Sequence, residues 1–169
     1  MGRYLKFKGS DIEVLGNQIE LGDKLPEFTL TGLDMADISE QGFAGKTLVI
    51  SVVPSLDTPV CSIQTKKFNE KASKLGADVV ILTVSRDLPF AQKRWCGAEG
   101  VEKLTLASDY KYRVFGDSFG VELPTLGLLA RAVFVFNKEG RAVYVEYVDE
   151  VTSEPNYDEA VNAISETIA

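Results

Sequence analysis

The sequence contains no histidine and only two cysteines, Cys61 and Cys96. Without histidine the chain cannot form a Cys-His protease site, a Ser-His-Asp hydrolase site or nearly any zinc site with nitrogen ligands. Two thiols alone cannot complete a four-thiolate metal site within one chain. We therefore expect no metal and no cofactor. Redox chemistry, a structural disulfide and inert burial remain as roles for the two cysteines.

Long apolar runs and a basic surface are also missing. No apolar run approaches the roughly 18 residues of a membrane span. The N-terminus alternates polar and apolar residues and lacks the apolar core of a secretory signal. The formal net charge of −7 argues against a nucleic-acid-binding surface. We expect a cytoplasmic protein with no nucleic-acid or membrane partner.

The residues that are present have the composition of an ordinary globular protein. Of the 169 residues, 45% are hydrophobic and 25% are charged. The sequence has no repeat, low-complexity tract or linker. It therefore predicts a single domain that spans residues 1–169.

Apolar patterning predicts the elements of the first half of the chain. Alternation predicts an N-terminal hairpin over residues 4–14 that turns at Gly9-Ser10. Residues 47–53 and 77–84 are apolar on both faces, which is typical of buried strands. An amphipathic helix predicted at residues 61–75 joins them, so they should be parallel neighbours. Further elements predicted here are strands at residues 19–21 and 28–31, and a helix face that carries Ile63, Phe68, Ala72 and Leu75.

The second half predicts more helices and one more hairpin. Asp87 is a suitable cap for a helix that Gly97 would end. The elements predicted are helices at residues 87–97, 110–115 and 157–168, a strand at 104–106, and a hairpin from 132–136 and 142–147. This order predicts an α/β domain with a mixed central sheet and helices on both faces.

The segment PSLDTPVC, residues 54–61, joins the first buried strand to the first long helix. Thr58 is a favoured N-cap and Pro59 suits the first helical position, so Cys61 falls in the first turn. The free N–H groups and the helix dipole favour an anion there, and a thiolate is the reactive form of cysteine. An inert buried cysteine fits the same position, and the helix start alone does not distinguish the two.

The spacing Pro54-x-x-x-Thr58-x-x-Cys61 resembles the active-site motif of the peroxiredoxins. Further segments resemble their thiol peroxidase subfamily, of the atypical two-cysteine type: SRDLPFAQKRWCGAEG at 85–100, LARAVFVF at 129–136 and VDEVTSEPNYDEA at 148–160. The resemblance covers most of the chain. It implies a thioredoxin-like fold with an N-terminal β-hairpin, and a homodimer.

The resemblance also implies roles for individual residues. Cys61 would attack the peroxide as a thiolate and become a sulfenic acid, while Thr58 orients the peroxide and Pro54 shields the pocket from water. Arg131 would hold the thiolate and polarise the peroxide. Cys96 would condense with the sulfenic acid to an intramolecular disulfide, which thioredoxin would reduce. The implied activity is reduction of hydrogen peroxide and alkyl hydroperoxides to water and alcohols, in antioxidant defence.

Taken alone, several of these residues also have structural interpretations. An arginine before an apolar strand, such as Arg131, is usually a surface ion-pair partner. Cys96 beside Trp95 is equally compatible with a core residue, and Thr58 with a simple helix cap. The competing function is a redox sensor that uses the same two cysteines without turnover. A dithiol-exchange protein of the thioredoxin type is disfavoured because the sequence has no C-x-x-C.

The implied disulfide has a geometric requirement. Cys61 is predicted at the start of one helix and Cys96 near the end of the next. Bridged cysteines need Cα atoms within about 7 Å of each other, and fully formed helices should hold these two farther apart. We therefore predict that the disulfide form requires local unwinding of one or both segments.

Overall fold

A computed structural model describes residues 2–72, 74–76, 78–100 and 104–168. The strands are β1 (Arg3–Phe7), β2 (Ser10–Val14), β3 (Thr29–Gly32), β4 (Asp37–Ser39), β5 (Thr47–Val52), β6 (Val79–Ser85), β7 (Thr105–Ser108), β8 (Glu122–Leu123), β9 (Leu128–Leu129), β10 (Ala132–Phe136) and β11 (Ala142–Tyr147). The helices are α1 (Pro59–Ala72), α2 (Pro89–Glu99), α3 (Phe115–Phe119) and α4 (Tyr157–Ile168), with a 3₁₀ turn at Glu40–Phe43. In this part of the chain no helix is long and apolar enough to cross a membrane.

Seven of the described strands form a central mixed sheet in the order β11-β10-β5-β6-β7-β3-β4, while β1 pairs with β2 and β8 with β9. Strand β6 runs parallel to both β5 and β7, and the other neighbours are antiparallel. Every residue of β5 is buried, because helices or other elements cover both faces of the sheet at its centre. The predicted mixed sheet, the parallel β5–α1–β6 unit and the hairpin of β10 and β11 are thus confirmed.

The two faces of the sheet have separate apolar cores. Val49 points to the face covered by α1 and α4, whereas its neighbour Ile50 points to the opposite face, as the alternation of a strand requires. The first face buries Val49, Phe68, Ile81, Val133, Val135, Ala160 and Ile164. The other core contains residues of α3 and of the β1–β2 hairpin, including Leu5, Ile12, Phe115 and Phe119. Helices therefore lie on both faces, as predicted.

The N-terminal hairpin forms, but its turn lies one residue earlier than predicted. Phe7 pairs with Ser10, so Lys8 and Gly9 are the two turn residues. Both have positive φ, +51° for Lys8 and +83° for Gly9. A two-residue turn of this kind matches the twist of the strands that it joins. The N–H groups of both turn residues donate to the Glu150 carboxylate in the loop after β11.

Two elements predicted from the sequence are wrong. Residues 19–21 do not form a strand, and the Ile19 N–H donates instead to the Tyr147 hydroxyl at 2.8 Å. The helix predicted at residues 110–115 occurs at Phe115–Phe119 instead. The buried Asp109 carboxylate accepts hydrogen bonds from the N–H groups of Phe115 and Gly116 at 3.2 and 3.3 Å. It therefore satisfies the free N–H groups of a helix that begins at Phe115.

Two helix details also differ from the prediction. Helix α2 continues through Gly97 and ends at Glu99, where Gly100 adopts a left-handed conformation with φ of 65°. Ile63 was predicted on the inner face of α1 but is 41% exposed. Gln64 and Thr65 occupy the buried positions instead. The side chain of Ala72 and residue Ala77 lie outside the described part of the structure.

Candidate active site

The loop between β5 and α1 places Cys61 in the first turn of the helix, as the sequence predicts. Pro59 is the first helical residue, and the Thr58 carbonyl accepts the N–H of Ser62 at 3.0 Å. The Thr58 hydroxyl donates to the Ser55 carbonyl at 2.9 Å, and the Thr58 N–H donates to the same carbonyl at 3.2 Å. The hydroxyl hydrogen is thus engaged, and the oxygen keeps lone pairs for an incoming donor.

A cavity of about 390 Å³ opens beside this loop. Its lining combines apolar side chains with a few polar groups, which is the usual character of a small-molecule site. The lining residues are Phe7, Lys8, Pro54, Thr58, Pro59, Val60, Arg131, Val151 and Thr152. The fold therefore brings Pro54, Thr58 and Arg131 together at one cavity.

Cys61 is not among the described residues that line the cavity, although the preceding residue Val60 is. Its side chain is fully buried in an apolar cluster with Val53, Leu56, Trp95 and Leu106. The structure therefore separates the Cys61 sulfur from bulk solvent. The thiol lies on the helix that forms the cavity wall.

Arg131 is buried, with only 3% of its surface exposed, and is therefore not a surface ion-pair partner. Its Nε donates to the Val151 carbonyl at 2.8 Å, and its Nη1 donates to Gln64 Oε1 at 3.0 Å. Gln64 Nε2 in turn donates to Ser51 Oγ at 2.8 Å. Because arginine can only donate, the carbonyl of Gln64 must face it, which fixes the orientation of the amide.

Among the described residues, both hydrogen-bond partners of Arg131 are neutral. A buried cation is costly unless anions accompany it. One carboxylate lies within electrostatic reach, since the pKa of Glu154 is lowered by its hydrogen bond with Tyr157 and, to a smaller extent, by the charge of Arg131. The cavity beside Arg131 is the place where a further anion, in direct contact with the guanidinium, would be stabilised. A thiolate, or an oxygen that gains negative charge as a peroxide bond breaks, would supply it.

Cys96 lies in α2 and is half-buried against the apolar cluster that contains Cys61. Burial raises the pKa of the Cys96 thiol, so this group remains protonated near neutral pH. Both cysteines are free thiols, and α1 and α2 are both formed around them. The predicted unwinding in a disulfide form remains a prediction.

Side-chain contacts join the two helices that carry the cysteines. Trp95 Nε1 donates to Ser62 Oγ at 3.2 Å, so a hydrogen bond links the residues adjacent to Cys96 and Cys61. A salt bridge of 3.1 Å between Lys66 and Glu99 also connects α1 to α2. These contacts join α1 to α2 in the form in which both cysteines are free thiols.

Sequence reasoning missed several residues of the site. Gln64 carries a recognisable signal, since it is a polar residue three positions after Cys61 and hence on nearly the same face of α1. Phe7 and Lys8 carry none, because only the folded hairpin brings them to the cavity. Val151 and Thr152 likewise reach it through the path of the loop after β11.

Comparisons with known proteins agree with this fold. The family model described as Redoxin matches residues 20–161. The thiol peroxidase of Bacillus subtilis is 46% identical over 159 residues, which cover 94% of this chain and 95% of that protein. The thiol peroxidase of Streptococcus pneumoniae R6 is 48% identical over 157 residues, covering 93% of this chain and 96% of that protein.

Solved structures give the same result. A peroxiredoxin-like protein from Aquifex aeolicus, 43% identical, has a TM-score of 0.92 and covers 99% of this chain and 98% of its own. Thiol peroxidase from Chromobacterium violaceum has a TM-score of 0.86 over 96% of this chain and 95% of its own. At 18% identity, the second match supports the fold alone.

A thioredoxin-like sheet together with these relatives defines the class of thiol-dependent peroxidases, which use a peroxide as substrate and a thiol as reductant. Within that class, the chain belongs to the redoxin family as a peroxiredoxin of the thiol peroxidase (Tpx) type.

Proposed function

We propose that Cys61 is the peroxidatic cysteine of this enzyme, which reduces hydrogen peroxide and alkyl hydroperoxides to water and alcohols. The observation that carries the proposal is the buried guanidinium of Arg131, held at the cavity by two neutral groups. Its charge stabilises both the attacking thiolate and the oxygen that leaves. The helix N-terminus at Pro59 adds to the same field.

The first half of the cycle is displacement at the peroxide bond. The Cys61 thiolate attacks one peroxide oxygen, a sulfur–oxygen bond forms, and the oxygen–oxygen bond breaks. The products are a Cys61 sulfenic acid and a hydroxide or alkoxide ion. This ion takes up a proton and leaves as water or an alcohol. Thr58 orients the peroxide through its hydroxyl oxygen, and Pro54 helps to keep water out of the cavity.

In the second half, Cys96 resolves the sulfenic acid. Its sulfur attacks the Cys61 sulfur, an intramolecular disulfide forms, and water leaves. Within α2, burial raises the pKa of the Cys96 thiol and keeps it protonated. Unwinding of α2 removes this burial, so the thiol can form the thiolate that attacks. Thioredoxin then reduces the disulfide and restores both thiols. We place the enzyme in the cytoplasm, as a homodimer of single-domain subunits, in antioxidant defence and redox homeostasis.

Rapid kinetics of three proteins test the proposal. The wild type should be oxidised by hydroperoxide orders of magnitude faster than a free thiol and should cycle with thioredoxin. Cys61→Ser should abolish peroxide reduction, whereas Cys96→Ser should complete one turnover and then stop.

Two results would contradict the proposal. Oxidation of Cys61 at the rate of free cysteine would favour the redox-sensor alternative. Normal cycling of Cys96→Ser with thioredoxin would remove the resolving role of Cys96.

A further inference from the structure

The turn of the N-terminal hairpin forms one wall of the active-site cavity. Phe7 and Lys8 both line it, together with Pro54 and Val60 of the Cys61 loop and helix. This wall comes from the very start of the chain and reaches the site only through the β1–β2 hairpin. The position of this wall therefore depends on the contacts that hold the turn in place.

The carboxylate of Glu150 holds the turn through hydrogen bonds. Its Oε1 accepts the Gly9 N–H at 2.8 Å, and its Oε2 accepts the Lys8 N–H at 3.1 Å. The same carboxylate accepts the N–H and the hydroxyl of Thr152 at 3.1 and 2.8 Å. Lys8 has a left-handed backbone that is uncommon for a residue with a side chain, so the turn depends on such contacts.

The contacts that hold Arg131 are different from those that hold the turn. One of the acceptors of Arg131 is Gln64 Oε1. The other is the Val151 carbonyl, and the Val151 N–H donates to the Lys6 carbonyl at 2.7 Å. The Lys6 N–H donates to the Asp149 carbonyl at 2.6 Å. These backbone bonds do not involve the Glu150 carboxylate. Glu150 therefore controls the tip of the hairpin without being needed to hold Arg131.

We propose that Glu150 is a positioning residue for the organic group of a hydroperoxide substrate: it holds Phe7 and Lys8 in the cavity wall that this group contacts. This inference rests on the peroxidase function proposed above. A bulky hydroperoxide carries an organic group that contacts the wall, whereas hydrogen peroxide carries none. A lost apolar contact in a pocket typically costs a substrate about 10-fold or more in kcat/KM.

The test compares Glu150→Gln and Glu150→Ala with the wild type on cumene hydroperoxide and hydrogen peroxide. The Gln variant keeps the size of the side chain, but its amide nitrogen cannot accept an N–H. Both variants should lower the ratio of kcat/KM for cumene hydroperoxide to that for hydrogen peroxide about 10-fold, mainly through a higher KM for the bulky substrate. Hydrogen exchange at the Gly9 amide should accelerate, which reports release of the turn directly.

Glu40→Gln is the matched control. Its carboxylate also accepts a backbone N–H, that of Phe28 at 2.9 Å, but it lies outside the active-site cavity. This variant should keep the wild-type ratio of the two substrates.

Three outcomes would overturn the inference. The ratio could stay at its wild-type value in folded Glu150→Gln although Gly9 exchange accelerates. Both peroxides could lose activity equally, which would indicate a general structural role. Gly9 exchange could also stay unchanged, which would mean that the carboxylate does not hold the turn. An inactive wild type would instead refute the proposed peroxidase function.

Discussion

Replacement of Gln64 by leucine would test whether Arg131 must be held rigidly for attack on the peroxide. Gln64 is fully buried and connects Arg131 Nη1 to Ser51 Oγ through bonds of 3.0 and 2.8 Å. Leucine fills similar space but offers no acceptor. Arg131 would keep its bond to the Val151 carbonyl and lose its second anchor, so the guanidinium could rotate about the remaining contact.

The size of the effect follows from the bond that is lost. A hydrogen bond to a charged group contributes about 1.5–3 kcal/mol, and each 1.36 kcal/mol changes a rate about 10-fold. If all of this energy stabilises the transition state, its loss should slow Cys61 oxidation by about 10- to 150-fold. The unfolding free energy should fall by about 1–3 kcal/mol, because the buried Nη1 would be left without its acceptor.

The assay measures sulfenic acid formation at Cys61 in a Cys96→Ser background, where disulfide formation cannot interfere. Samples are mixed with hydrogen peroxide, quenched at intervals and analysed by mass spectrometry. Thr47→Val is the matched control. Thr47 is also fully buried, and its hydroxyl forms a hydrogen bond of 2.9 Å with the Thr167 hydroxyl. It begins β5, whereas the Cys61 loop follows the end of that strand. Urea unfolding of both variants separates stability from rate.

Equal oxidation rates in the Gln64→Leu protein and its parent would refute the reasoning. A similar slowing in Thr47→Val would refute it as well, because the effect would then follow from the loss of any buried hydrogen bond. The expected pattern is a loss of stability in both variants and a loss of rate only in Gln64→Leu.

Two further predictions concern the contacts around the site. Ser62→Ala removes the acceptor of Trp95 Nε1, a bond worth about 0.5–1.5 kcal/mol. Disulfide formation after oxidation should then become several-fold faster, as followed by the fluorescence of Trp95, and an unchanged rate would mean that this bond does not restrain unwinding. Hydrogen bonds from the N–H groups of Thr152 and Gly9 lower the pKa of Glu150 from 4.5 to about 2. A lowered carboxyl pKa stabilises the folded state above the unfolded value and loses this effect as the pH falls through the folded value. The melting-temperature gap between the wild type and Glu150→Gln should thus be constant above about pH 5 and close toward pH 2, and a gap that widens in acid would contradict this sign.

The sequence predicted those parts of the fold that depend on local pattern. Residues 47–52 are apolar on both faces, and a strand with this pattern must be covered twice, so the central position of β5 could be predicted. Thr58 and Pro59 similarly predict a helix start from residue type alone. The placement of Cys61 in the first turn follows directly.

The predictions that were wrong concern elements whose positions depend on residues distant in the sequence. The helix at Phe115–Phe119 begins where the Asp109 carboxylate accepts two backbone N–H groups, and nothing in the local pattern indicates that Asp109 is buried. The hairpin turn moved to Lys8-Gly9 because a residue with a side chain accepts a left-handed backbone when contacts such as those of Glu150 hold it. The cavity wall could not be predicted for the same reason, since its residues come from distant parts of the chain.

Asp87 shows how one such long-range partner supports the loop that carries Thr58. It was predicted to cap α2, but Leu88 occupies that position. The Asp87 carboxylate instead accepts Ser55 Oγ at 2.7 Å, the Leu56 N–H at 2.8 Å and Ser85 Oγ at 2.8 Å. It therefore connects the end of β6 to the loop in which Thr58 is bonded to the Ser55 carbonyl.

We predict that Asp87→Asn slows the oxidation of Cys61, because the loop that positions Thr58 loses part of its support. An amide has one accepting oxygen in place of two, so at least one charge-assisted bond is lost, worth about 1.5–3 kcal/mol. In the Cys96→Ser background the oxidation rate should fall about 10-fold or more. Asp57→Asn is the control in the same loop, since Asp57 is exposed and lies 3.7 Å from an equally exposed Arg94, a pair of small energetic value. Similar rates in the two variants would show that the Asp87 carboxylate does not position the loop. A slow Asp87→Asn beside a normal Asp57→Asn would mean that attack at Cys61 depends on the contacts that Asp87, two positions before α2, makes with the loop.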